Sequence, residues 1–308
     1  MILPTVSEVQ FTLPSYAKVN LILRIHGRRA DGYHEIETVF QTVTLHDQLT
    51  FEIDDDERIE LTCDAPGVPC DESNLVHRAA VALRARYGVR RGARIRLEKQ
   101  IPAGGGLGGG SSNAATALVG LARLWELKAD KRSLVELGAS LGADVPFFLT
   151  GGTALGTGRG TDIHAVADAP ARPLLIVTPR VHVSTAEAYK SLNSYALTKA
   201  LAPANLTVSR VQAEISGSLH AALRNDFEPV VYRLYPEIER VRAALAAAGA
   251  EGALLSGSGA SVFGLFENVR ARDRAFGALS AEAGWQVFAC ATLSQSDYAR
   301  ALGAFEFL

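Results

Sequence analysis

One stretch of the chain is built for backbone chemistry: Ile101-Pro102-Ala103-Gly104-Gly105-Gly106-Leu107-Gly108-Gly109-Gly110-Ser111-Ser112-Asn113. Glycines on both sides of a single leucine can adopt positive φ and bring bare amides close to an anion. A strand-like alternation precedes the run, and a helix pattern from about Ser112 to Leu127 follows it. Unpaired N–H groups and the positive end of a helix dipole therefore converge at one point, which predicts a phosphate cradle. A flexible linker would not join a patterned strand to a patterned helix. The loop is not a Walker A motif, since no lysine precedes Ser111. Gly104, Gly106 and Gly109 satisfy GxGxxG, with Glu126 about twenty residues on. However, the preceding strand alternates where a central Rossmann strand is apolar on both faces, and Glu126 falls inside the helix pattern.

Other residues could complete a phosphoryl-transfer site. Lys18 and Asn20 lie two apart on a strand, so they share a face about 7 Å apart and could orient an anionic or hydroxyl-bearing substrate. The plain alternative is an exposed strand face. Lys99 has the parity of an apolar face just before the loop, and either pairs with a nucleotide phosphate or snorkels past the sheet edge. Asp144, in Gly142-Ala143-Asp144-Val145-Pro146, can cap the next helix or accept a hydroxyl proton. Tyr33-His34, after the Asp31-Gly32 turn, suit stacking and hydrogen bonding to a flat base, or simply packing. Leu255-Ser256-Gly257-Ser258-Gly259-Ala260-Ser261 is a second small-residue loop that either approaches a ligand or lets two backbones pack closely.

The elements that must hold these residues are legible as periodicities. Residues 15–26 alternate, with Ala17, Val19, Leu21, Leu23 and Ile25 on one face. ETVFQTVTLHDQLTFEI reads as one or two further strands, and Asp54 to Glu57 as a solvated turn. Ser73 is positioned to cap a helix that Gly88 ends. Ala93 to Ile101 alternate as a half-buried strand, and Lys131 to Leu141 form a helix. Composition changes near residue 165, at ADAPARP, where we place a domain boundary. Strands and helices then alternate: LLIVTP, TAEAYKSL, a loose SLNSYALTKALAPAN, helices near 208–223 and 236–248, ALLSGSGASVFGLF, a further helix and WQVFACAT. Two strand–helix–strand units suggest a ferredoxin-like α+β layer.

Composition excludes several classes. At 308 residues the chain has room for two domains. With 48% hydrophobic and 21% charged residues it is globular rather than disordered. A net charge of −2 provides no global field for nucleic acid or an anionic membrane. The arginines near residues 84–91 lack interleaved aromatics, so no nucleic-acid partner is expected. Cys63, Cys70 and Cys290 are too few for a disulfide framework and form no CxxC, which fits reduced cytoplasmic thiols and no zinc site. No secretory signal is visible at MILPTVSEVQ. Gln100 to Ala122 lacks charge over a bilayer-spanning length, yet its glycines and polar residues argue against a membrane partner.

Taken together, these segments resemble the GHMP kinase superfamily of small-molecule kinases. PSYAKVNLILRI resembles the first family motif, IPAGGGLGGGSSNAA the second and LLSGSGASVFGLF the third. AKVNLILRIHGRRADGYHEIETVFQTV, LGADVPFF and NDFEPVV match more closely the branch that acts on a cytidine-diphosphate-linked methylerythritol in non-mevalonate isoprenoid biosynthesis. The resemblance runs from about residue 14 to 295. It implies a ribosomal-protein-S5-like N-terminal domain (1–165), a ferredoxin-like C-terminal domain (166–308), and an active site between them. It further implies transfer of the γ-phosphoryl group of ATP, with Mg²⁺, to the C2 hydroxyl of that substrate. By motif, Asp144 would be the general base and Lys18 would stabilise charge. Asn20 would orient the substrate, Tyr33 and His34 would recognise cytosine, and Tyr189 would sandwich the base opposite Tyr33 with Thr185 nearby. Pro102, Gly104, Gly105, Gly106, Leu107, Gly108, Gly109, Gly110, Ser111 and Ser112 would hold the ATP phosphates. Asn74, Leu75, Lys99 and Asn113 would line the nucleotide pocket. No carboxylate ligand for the metal is named by the resemblance, and Ser111 is a candidate only. A monomer or a homodimer is expected. Rival readings are a homoserine or mevalonate kinase, which has no nucleobase to read, and a nucleotide-binding module without catalysis.

Overall fold

The computed structural model describes residues 10–168, 170–196 and 206–303. The expected strand at 15–26 extends to β1 (Gln10–Arg28), and the one or two strands expected after it are a single strand, β2 (His34–Asp54). They pair antiparallel from Gln10 opposite Glu52 to Arg28 opposite His34, with register shifts at Tyr16/Lys18, Asn20/Ile22 and Ile25/Gly27. Bulges of this kind re-aim side chains. Here they flank Lys18 and Asn20, which are buried rather than exposed as on a half-solvated sheet.

β3 (Ile59–Cys63), α1 (Leu75–Tyr87), β4 (Gly92–Glu98), α2 (Gly109–Leu124), α3 (Lys131–Leu141), α4 (Val145–Phe148), β5 (Thr153–Thr157) and β6 (Asp162–Val166) follow. The sheet order is β3-β4-β2-β1, extended beyond β1 by β8 (Arg224–Asn225), while β5 pairs with the first part of β2 and carries β6. Asp54 ends β2 and is buried, so the expected solvated turn begins one residue later. Asn74, not Ser73, caps α1, its side chain accepting from Val76 N at 2.9 Å. Gly88 closes that helix at φ 64°.

The second half comprises β7 (Pro173–Pro179), α5 (Thr185–Ala196), α6 (Val208–Ala222), α7 (Glu228–Leu234), α8 (Pro236–Ala247), β9 (Gly252–Leu255), β10 (Val262–Leu265), α9 (Val269–Leu279), β11 (Trp285–Ala291) and α10 (Gln295–Ala301). Its sheet runs β11-β7-β10-β9, all antiparallel, as a ferredoxin-like layer requires. β7 is apolar on both faces because each face meets a different core. Leu174 and Ile176 pack towards β1 and β2, while Leu175 and Val177 pack under α8 and α9. SLNSYA belongs to α5 rather than to a loop. Residues 1–9, Ala169 in ADAPARP, 197–205 of the loose stretch and 304–308 lie outside the described residues.

α10 returns to the first layer. Tyr298 and Leu302 join the core beneath α1 to α4, and the Tyr298 hydroxyl donates to Phe148 O at 2.5 Å. Among the described residues no helix is long and apolar enough to cross a membrane. Tyr298→Phe keeps the ring but leaves the buried Phe148 carbonyl without its donor. The expected loss is about 1–3 kcal/mol, read as a lower urea midpoint at unchanged slope.

Candidate active site

The glycine loop folds with its carbonyls held by the protein. Gly105 O accepts from Ser261 N at 3.0 Å, Leu107 O from Lys18 N at 3.0 Å and Gly108 O from Ser112 N at 2.8 Å. Gly106 O accepts from Lys18 Nζ at 2.9 Å and from Ser256 Oγ at 3.0 Å. Among the described residues, the main-chain N–H groups of 104–111 donate to no protein acceptor. Gly106 must be glycine: φ is 75°, and a Cβ would lie 2.1 Å from Ser256 O. α2 begins at Gly109 rather than Ser112, with Gly108 as its N-cap at φ 71°. The last glycines of the loop are therefore also the first turn of the helix, where unpaired amides and the dipole act together.

Ser112, expected on the phosphates, and Lys99 and Asn113, expected to line the nucleotide pocket, make internal contacts. Ser112 Oγ accepts from Ser15 Oγ at 2.8 Å, and Asn113 Nδ2 donates to Ser15 Oγ at 2.8 Å and to Asp47 Oδ2 at 2.9 Å. Lys99 pairs with Asp47 and reaches Asn113 Oδ1 at 3.3 Å. Asp47, fully buried, also accepts from Gln100 N at 2.7 Å and Ile101 N at 2.8 Å. This network props up the strand-to-loop junction from below. Nothing in the sequence pointed to Asp47 beyond a carboxylate interrupting TVTLHDQLTF. Asn74 is likewise engaged as a helix cap and donates to Pro69 O at 2.6 Å. Leu75 does border the loop, its Cδ1 3.8 Å from where a Cβ on Gly110 would sit. Pro102 lies beside Gly105, with its O 3.4 Å from the equivalent position there.

Lys18, Asn20 and Asp144 do meet. Lys18 Nζ donates to Asn20 Oδ1 at 2.7 Å and lies 3.5 Å from Asp144 Oδ2. Asn20 Nδ2 donates to Thr38 Oγ1 at 2.7 Å, and that hydroxyl donates to Ile22 O at 2.8 Å, which fixes the amide orientation. Asp144 occupies the N-cap position of α4, yet its side chain bonds no helix N–H. It faces Lys18 and stays 32% exposed, against 5% for the lysine side chain, so the carboxylate remains reachable.

These groups line a cavity of about 220 Å³ with Leu23, Ile36, Phe40, Gly106, Gly108, Thr185, Tyr189, Phe227, Gly257 and Ser258. Thr185 Oγ1 and Ser258 Oγ lie 2.8 Å apart, joining α5 to the β9–β10 loop. Burial, with Asp144 nearby, pushes the Tyr189 phenol up to about 12, so it is a neutral donor at any ordinary pH. The ring facing Tyr189 is His34, stacked at 4.5 Å, and Phe227 meets Tyr189 edge-on at 4.8 Å. Tyr33 points elsewhere, because successive residues entering a strand alternate sides. It is 54% exposed, with the Arg159 guanidinium 3.7 Å above its ring. Tyr189 is expected to sandwich a base opposite Tyr33; the ring stacked on it in this structure is His34. Phe227 was reachable only through NDFEPVV. Its neighbour Asn225 donates to Leu255 O and Gly257 O, both at 2.8 Å, and so holds the second glycine-rich loop.

The GHMP kinases N terminal domain profile matches residues 74–152, and the GHMP kinases C terminal profile matches 211–284. A protein of Pelotomaculum thermopropionicum named 4-diphosphocytidyl-2-C-methyl-D-erythritol kinase is 45% identical over 81% of this chain and 86% of its own length. One of Burkholderia pseudomallei with the same name is 41% identical over 91% of this chain and 92% of its own. A crystal structure of 4-(cytidine 5'-diphospho)-2C-methyl-D-erythritol kinase superposes with a TM-score of 0.78 at 35% identity, covering 92% of this chain and 99% of that one. Homoserine kinase from Cytophaga hutchinsonii, at 21% identity and TM-score 0.69 over 96% and 98% of the two chains, shares the fold.

Asp47→Asn leaves the Lys99 ammonium, in a side chain only 8% exposed, without an anionic partner. The expected cost is about 3–5 kcal/mol by chemical denaturation. Adding Lys99→Met should recover most of it. A double variant no more stable than the single one would remove the buried pair from this account.

Proposed function

Because the chain belongs to the GHMP kinase family, and within it to the 4-diphosphocytidyl-2-C-methyl-D-erythritol kinases, we propose that it moves the γ-phosphoryl group of ATP onto the C2 hydroxyl of a cytidine-diphosphate-linked methylerythritol. It is an ATP-dependent kinase. The observation that carries the substrate reading is the placement of the Lys18–Asp144 pair, 3.5 Å apart, in one cavity. The same cavity is lined by Gly106 and Gly108 of the loop and by Tyr189 and Phe227.

In this reading the amides of Gly104 to Ser111 hold the triphosphate, with the dipole of α2 behind them. The hydroxyl oxygen attacks the γ-phosphorus as the bond to the β-phosphate oxygen breaks. Asp144 accepts the hydroxyl proton, while Lys18 neutralises charge on the attacking oxygen and the moving phosphoryl group. Such chemistry depends mostly on positioning and fixed charge. Asn20 holds Lys18 in place. Ser112, Asn113 and Lys99 act through the loop rather than on the nucleotide. Mg²⁺ neutralises triphosphate charge when bound. The Ser111 hydroxyl, on the first turn of α2 and beside Gly142, would be the protein's oxygen donor to it. Tyr189 and Thr185 in the cavity wall, with His34 stacked on Tyr189, receive the cytidine.

A coupled ADP-release assay with the cytidine-linked substrate, homoserine and mevalonate side by side tests the proposal. Preferential turnover of either small acid overturns it. Asp144→Asn should lower kcat by at least ~10²-fold with ATP affinity little changed. An unaltered kcat would remove Asp144 from the chemistry. Tyr189→Ala should raise KM for the cytidine substrate and leave KM for ATP alone. A fall in ATP affinity instead would place the ring at the wrong ligand.

A further inference from the structure

Gly105 is glycine for a different reason from its neighbours. Gly104, Gly106 and Gly108 have φ of 70°, 75° and 71°, which residues with side chains rarely adopt. The backbone of Gly105 lies outside that region, so φ does not bar alanine there. What bars it is a hydroxyl from the other half of the chain: a Cβ on Gly105 would lie 2.6 Å from Ser261 Oγ. The next atoms, Pro102 O at 3.4 Å and Pro102 Cβ at 3.6 Å, would be in ordinary contact.

Ser261 is itself held in place. Val262 on β10 is opposite Val177 on β7, and the register one residue further sets Ser261 against Thr178. Their hydroxyls lie 2.7 Å apart, and both residues are buried. Ser261 N donates to Gly105 O at 3.0 Å, while Ser261 O accepts from Ser256 N at 2.9 Å. The hydroxyl therefore stands at the end of a sheet, fixed through both its backbone and its cross-strand partner. A glycine-rich loop has little conformational preference of its own, so a fixed neighbour decides where its amides settle.

We infer that Ser261, backed by Thr178, is a positioning residue for nucleotide binding: its hydroxyl takes the space of the absent Gly105 side chain and sets how far the phosphate loop can sink towards the second sheet. It acts through Gly105 rather than on the nucleotide. This rests on the proposed reading that the loop amides hold the triphosphate. Ser261 belongs to the second half of the chain and Gly105 to the first, so the contact makes nucleotide affinity depend on how the two halves meet.

Calorimetric binding of ADP across a double-mutant cycle tests this. Gly105→Ala should weaken ADP at least ~10-fold, since a displaced loop misplaces its donors, and leave KM for the cytidine-linked substrate constant. Ser261→Ala alone should weaken ADP about threefold, the scale of one lost hydroxyl contact. In the Gly105→Ala background the same Ser261→Ala should instead recover most of the loss, because the nearest remaining atom is then Pro102 O. Thr178→Val should match Ser261→Ala, and Thr178→Ser should match the parent. A double variant that binds ADP no more tightly than Gly105→Ala overturns the inference. So does a Gly105→Ala protein with a lower urea midpoint but parent ADP affinity, which would make the contact one of packing only. Ser261→Ala and Thr178→Val introduce no clash and carry the test if Gly105→Ala does not fold; parent ADP affinity in both then overturns it. Hydrogen exchange distinguishes these results from a failure of the phosphate reading. ADP should protect residues 102–112 of the parent protein, and protection of another segment in their place refutes that reading and the inference with it.

Discussion

The carbonyl of Gly106 is the point at which the site is assembled. It accepts from Lys18 Nζ on β1 and from Ser256 Oγ after β9, so three distant segments meet on one oxygen. That contact does two things at once. It fixes the ammonium beside Asp144, and it turns a loop carbonyl inward, in a loop whose Gly106 and Gly108 line the cavity. An anion site made of backbone needs this, because a glycine-rich loop left to itself would populate many conformations. The 2.1 Å that a Cβ at Gly106 would leave to Ser256 O explains why a side chain cannot be tolerated there.

Beneath the loop, a second set of contacts turns a costly arrangement into a support. Asp47 is fully buried, and such a charge is tolerable only when paired and hydrogen-bonded. Lys99, Asn113 and two backbone amides supply those partners. The same groups lie under the start of α2, so the support and the phosphate face are two sides of one structure. Lys99 and Asn113 thus hold the loop through Asp47.

The two halves divide the work. The first sheet and its helices provide the loop, Lys18 and Asp144. The second half provides the wall of Tyr189 and Phe227, and the Ser256–Ser258 loop that locks the glycines. Asn225 holds that loop and Asp226 accepts from Ile25 N at 2.9 Å, so NDFEPVV couples β1 to the second sheet. α10 crosses back to pin the end of α4, four residues beyond Asp144. The cavity is thus held from both halves of the chain.

Local signals were enough for the glycine loop, the Lys18–Asn20 spacing, Asp144 before Val145-Pro146 and most elements, because backbone freedom and side-chain alternation are properties of neighbouring residues. They could not say that Lys18 and Asn20 are buried, that Ser112 and Asn113 face the interior, or that Asn74 rather than Ser73 caps α1. Those outcomes depend on what the opposite element covers. Asp47 carried no signal, since a buried acid and a surface acid read alike until Lys99 is placed 52 residues further along the chain. The choice of His34 over Tyr33 as the ring against Tyr189 was also decided only in three dimensions. It follows from which side of β2 each residue leaves, and from a helix that comes from the other half of the molecule.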